Sequence, residues 1–189
     1  MRAGGESIFA RDGGNGLRLV GPLCSLALVA VAVVLAFVGG GESDEGTVAV
    51  SPAHRASVAE LAGLEDSLGH DVYWAGLRPP DRLELTKEAD GSVYLRYLPR
   101  AVEPGERWAD FLTVGTYPVV DAQAALRRTA RQEETTVDVL AGGAIVLASG
   151  ESAYLAFPGS DLQIEVYDPI PGRALELVRE GAIEPVGEG

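Results

Sequence analysis

From Leu19 to Val38 the chain runs 20 residues without a charge, and beyond it the pattern breaks into short helical and alternating stretches. At ~1.5 Å of rise per residue the run makes a helix ~30 Å long, about the hydrocarbon thickness of a bilayer. It predicts a transmembrane helix over 19–38, with a short N-terminus (1–18) before it. Residues 39–53, rich in Gly, Ser and acids, read as a flexible linker, and 54–187 as one domain.

Within that domain, Val58, Leu61, Leu64 and Leu68 recur at three- and four-residue spacing, which predicts a helix over 57–68 capped by Gly69. Residues 71–76 read as a short strand. The stretch 82–98 alternates and predicts a hairpin whose register depends on its turn. A two-residue turn at Asp90-Gly91 gives neither face an apolar row. A three-residue loop at 89–91, with Gly91 left-handed, pairs Leu83 with Tyr97, Leu85 with Leu95 and Lys87 with Val93, and sets Glu84 opposite Arg96. That register is expected, because a slip of one residue exchanges the faces.

Residues 99–110 read as a loop and 111–117 as a strand ended by Pro118. Asp121 then caps a helix to Gln132 that buries Ala122, Ala125, Leu126 and Thr129. Four strands follow at 135–140, 143–148, 152–157 and 162–168, forming an antiparallel meander. Its turns set Val139 against Ile145, Val137 against Leu147, Leu147 against Tyr154, Phe157 against Leu162 and Leu155 against Ile164. Pro171 in the first turn and Gly181 after the last bracket a final helix, and residues 182–186 form a closing strand. The fold class is therefore α+β: an antiparallel sheet covered by about three helices. The order of strands, turn and helix occurs twice, consistent with an internal duplication or with ordinary recurrence of local signals.

Charge adds an orientation. Three arginines and two acids precede the apolar run. Removing them from the chain's 15 basic and 28 acidic residues leaves 12 and 26 after Val38. Basic flanks stay cytoplasmic, so the N-terminus is expected inside and the acidic domain outside the cell membrane as a single-pass protein. Cleavage after Val38-Gly39-Gly40 as a signal peptide is the alternative, although a 20-residue run exceeds the usual length of such a segment. Cys24 lies within the run and suits a small apolar residue in lipid. No cysteine follows it, so the domain has no disulfide and depends on its core. The acidic balance argues against nucleic-acid partners. Fourteen arginines against one lysine, with abundant Ala, Gly and Val, indicate a GC-rich bacterial genome.

Chemical motifs are sparse. Two histidines, His54 near the linker and His70 at a helix-to-strand junction, do not make a metal site, and no nucleotide-binding loop or nucleophile elbow occurs. No cofactor or metal is expected. The aromatic residues are more suggestive. Alternation turns Tyr94 and Arg96 to the face opposite Leu83, Leu85 and Leu95, where a ring beside an arginine suits a glycan or protein partner. Trp74 and His70 complete the candidate binding residues.

The segments GHDVYWAG, FLTVGTYP, YLAFPGSD and VYDP resemble those of an uncharacterised family of single-pass membrane-anchored proteins from high-GC actinobacteria. That resemblance implies an anchored envelope domain and no particular activity. The sequence thus points to an extracytoplasmic binding or interaction module held in the bilayer by residues 19–38, with an envelope protein or glycan as partner. An envelope hydrolase working through carboxylates or His70 is the alternative.

Overall fold

The computed structural model describes residues 51–106 and 111–187. The apolar run at 19–38 and the linker up to residue 50 lie outside the described residues, and among those described no helix is long and apolar enough to cross a membrane.

The domain is α+β, built on one eight-stranded sheet whose pairs are all antiparallel. In chain order the elements are β1 (Ser51–Arg55), α1 (Val58–Ala62), α2 (Leu64–Leu68), β2 (Tyr73–Trp74), β3 (Arg82–Lys87), β4 (Val93–Leu98), β5 (Thr113–Pro118) and α3 (Ala122–Gln132). There follow β6 (Asp138–Val139), β7 (Ile145–Ser149), β8 (Ser152–Ala156), β9 (Leu162–Tyr167), α4 (Arg173–Arg179) and β10 (Glu184–Pro185). The spatial order is β1-β3-β4-β5-β9-β8-β7-β6, so β5 and β9 join two meanders at the centre.

The hairpin registers follow from the turns. Leu83 faces Tyr97, Glu84 faces Arg96 and Leu85 faces Leu95, around a loop in which Gly91 has φ 85°. Glu88 N–H donates to Ser92 O (2.9 Å) and Ser92 N–H to Asp90 Oδ1 (2.9 Å), so the loop satisfies its own backbone. Leu147 faces Tyr154, Leu155 faces Ile164 and Val139 faces Ile145, as the pattern of apolar positions requires.

Several elements differ from the sequence reading. The helix expected over 57–68 is two short helices meeting at Gly63. Glycine is a poor helix former, and the break lets Leu61 and Leu64 both enter the core while Val58 stays outside. β1 was not expected at all; its proline and histidine conceal a strand that pairs with β3 and forms one edge of the sheet. β6 is only two residues long. Glu134 turns left-handed at the exit from α3 and Thr135 N–H caps Ala130 O at 2.8 Å, so the chain is still leaving the helix where the strand was expected to start. α4 starts at Arg173, after a turn in which Arg173 N–H bonds Ile170 O, so Pro171 precedes the helix rather than lying in it. In α3 the buried stripe is Ala122, Leu126 and Ala130.

Alternation divides the core in two. On one face of the sheet Leu83, Leu85, Val93, Leu95, Val114, Val146, Leu155, Ile164 and Val166 pack with α1, α2, α4 and the small β2–β10 ladder. β2 lies over this face, and amides in it and just after it are met by side chains. Tyr73 N–H donates to Thr116 Oγ1 (3.0 Å) and Ala75 N–H to Tyr97 Oη (2.7 Å), which accounts for a buried threonine and a buried phenol. On the opposite face α3 covers Ile145, Leu147, Tyr154 and Ala156. The two strand-and-helix series therefore place their helices on opposite faces, which a twofold repeat of the whole motif would not do.

Candidate functional site

The α3 face also carries polar residues, some buried and some partly exposed. Alternation from the paired registers puts Glu84, Thr86, Tyr94, Arg96, Thr113, Gly115, Tyr117, Glu165, Ser152 and Tyr154 on this face. α3 shields the β7–β8 end. Residues from the loop after β4 shield the other end, where Gly105 N–H donates to Glu84 Oε2 at 2.6 Å. Between the two covers lies a patch centred on Glu165.

Glu165 is half-buried and gathers hydroxyls from two neighbouring strands. Its Oε2 accepts from Tyr117 Oη at 2.7 Å, and its Oε1 from Ser152 Oγ at 2.8 Å and Tyr154 Oη at 3.1 Å. Tyr117 reaches it by folding across Gly115. A Cβ on that glycine would lie 2.6 Å from Tyr117 Oη and 2.8 Å from its Cζ, so the ring occupies the space a side chain would need. Tyr94 then packs edge-on against Tyr117, with ring centroids 5.5 Å apart at 81°.

The phenols are held protonated. Burial, followed by the adjacent Glu165 carboxylate, pushes the Tyr117 and Tyr154 hydroxyls well above their ordinary range. Burial also raises Tyr94, with Asp90 and then Glu88 adding to it. In each case a nearby negative charge opposes forming a second one.

Arg96 occupies the predicted face but is committed there. Its Nη1 lies 2.7 Å from Oε1 of Glu84, which is only 1% exposed, and its guanidinium sits 5.4 Å from the Phe111 ring centroid. Tyr94 lies in the patch. Trp74 is buried in β2 opposite Glu184, its Nε1 without a hydrogen-bond partner among the described residues. His70 bridges two segments on the other side of the hairpin loop. Its Nδ1 is 2.8 Å from Asp71 O and its Nε2 3.2 Å from Gly91 O, so both nitrogens meet backbone carbonyls rather than a nucleophile. The four residues therefore do not converge on one site. His54, in β1, pairs with Glu60 at 2.7 Å, and that hydrogen bond raises its pKa. Among the described residues no group of three or more His, Cys, Asp or Glu is arranged to hold a metal ion.

Glu165, Ser152 and Gly115 were not singled out from sequence, although part of the signal was there. The β8–β9 register places Tyr154 directly opposite Glu165, and a glycine inside a strand marks a close approach. The β5–β9 pairing, which brings Tyr117 to Glu165, has no local signature. Comparison with family models, curated proteins and solved structures returns no match for the chain.

Proposed function

We propose that the chain is a membrane-anchored, non-catalytic binding module of the bacterial cell envelope, and that the Tyr94–Tyr117–Glu165 patch is its binding surface. The observation that carries this reading is the pre-set patch itself. Two partly exposed rings and a carboxylate are held together by three hydroxyl bonds, a ring-to-ring contact and a close approach at Gly115, on the central strands of one sheet face. Rigid aromatic side chains bind with little loss of conformational freedom. The apolar run at 19–38 and its basic flank support anchoring, with the domain outside the membrane. A hydrolase built on His70 draws less support, because both of its ring nitrogens face backbone carbonyls.

Two experiments test this. Protease added to spheroplasts is expected to digest the domain; digestion only after lysis would place it inside. The full chain, immobilised and exposed to solubilised envelope material, is expected to retain a component that a folded Tyr94→Ala variant does not. Equal retention by both would remove the patch from the account.

A further inference from the structure

We infer that the patch selects a cationic donor, the guanidinium or ammonium of a basic peptide segment on an envelope partner. This rests on the reading of the patch as the binding surface. A carboxylate only accepts hydrogen bonds, so Ser152, Tyr154 and Tyr117 must each point their one proton at Glu165. Tyr154 is buried, so an incoming ligand meets the partly exposed Ser152 and Tyr117 and the carboxylate itself. Thr113 behaves alike, its hydroxyl donating to Phe111 O at 3.0 Å. The Tyr94 hydroxyl is engaged with Tyr117, so the patch spends its hydroxyl donors within itself.

The charged side chains that act most on its phenols, Glu165, Asp90, Glu88 and Glu133, are all negative. Glu165 is surrounded by neutral hydroxyls, and Glu88 and Asp90 lie beside Tyr94 at the hairpin loop. Arg96, two residues along the same strand, is matched by Glu84. The rings of Tyr94 and Tyr117 add the electron-rich surface that favours a cation. An anion meets repulsion. A neutral sugar, whose hydroxyls need donors as well as acceptors, finds few. A guanidinium brings donors only and a positive charge, which is the complement of this surface.

The test is titration of the full chain in detergent micelles with four probes: an Arg-Ser repeat hexapeptide, its Lys-Ser and Glu-Ser counterparts, and chitotriose. Binding is read by calorimetry and by shifts of the Tyr94 and Ser152 resonances. Both basic peptides are expected to bind and to shift these signals. Glu165→Gln and, as a second variant that leaves the hydroxyl cluster in place, Tyr94→Leu are each expected to weaken binding about tenfold. Asp66→Asn, on α2 across the sheet, is expected to leave it unchanged. Equal weakening by Asp66→Asn and Glu165→Gln would show general attraction to an acidic domain and overturn the inference. Chitotriose shifting the patch where the peptides do not would overturn the ligand class and leave the binding surface standing. If no probe shifts the patch and Tyr94→Ala also retains envelope material as the parent does, both readings fall.

Discussion

Two glutamates on the same face of one sheet are handled in opposite ways. Glu84 lies under the loop that follows β4, paired with the Arg96 guanidinium and the Gly105 amide, and is almost fully buried. Glu165, three strands further on, is partly exposed and held by three neutral hydroxyls. Burying a charge is costly unless an opposite charge accompanies it, so the covered end of the face is electrostatically balanced and serves stability. The open middle keeps a fixed negative charge within reach of solvent. The difference separates a strut from a surface able to attract.

The strongest way to break the comparison is at Arg96. Arg96→Ala leaves Glu84 buried and unpaired and is expected to cost about 3–5 kcal/mol, read from the denaturant midpoint. A Glu84→Leu/Arg96→Met double variant should be considerably less destabilised, because no charge is stranded. A single variant within about 1 kcal/mol of the parent would show that Glu84 is not held as described.

At the open patch the corresponding change is Gly115→Ala. The new methyl displaces the Tyr117 ring and breaks its bond to Glu165, for an expected cost of about 1–3 kcal/mol. Loss of the Tyr94–Tyr117 contact, visible in aromatic nuclear Overhauser effects, should accompany it. A stable Gly115→Ala chain with that contact intact would contradict the cradle.

Alkali provides a third test. Tyr97 is pushed by burial from 10.0 to about 12, and Tyr117 and Tyr154 are also raised. A raised folded-state value means that the folded chain holds protons which the unfolded chain releases. The contribution is therefore full below pH 10 and is lost as pH rises above it, by up to about 1.4 kcal/mol per pH unit per phenol. Tyr97's part levels off near pH 12. Urea midpoints should fall between pH 9 and pH 11, and less so in Tyr117→Phe. A midpoint that held or rose would refute the burial of these phenols.

Smallest is Gly91→Ala in the hairpin loop, where φ is 85° and the added methyl meets Pro118 and His70 at 3.4 and 3.5 Å. The left-handed backbone should make this cost about 1 kcal/mol, read by thermal denaturation.

The strand registers were legible in the sequence because each hairpin has one turn that keeps its apolar residues on a single face. Leu83, Leu85 and Leu95 leave no other choice once Gly91 is left-handed. What escaped was non-local. Nothing near Thr116 or Ile164 announces that β5 and β9 meet, and nothing in β2 shows that its amides are satisfied by Thr116 and Tyr97 rather than by a sheet neighbour. The same gap hid the patch. Tyr94 and Arg96 were correctly turned to one face by alternation, but alternation cannot tell an arginine matched by a buried glutamate from one offered to a ligand. Glu165 becomes noticeable only when Tyr117, Ser152 and Tyr154 are brought to it from two strands.

The most direct measurement of the central claim is photo-crosslinking in native membranes, with benzoylphenylalanine replacing Tyr94 in one strain and Asp66 in another. The account predicts a discrete crosslinked product from position 94 that Glu165→Gln diminishes, and none of that size from position 66. The same product from both positions, or one from position 94 indifferent to Glu165→Gln, would show that the Tyr94–Tyr117–Glu165 patch is not where this domain meets its partner.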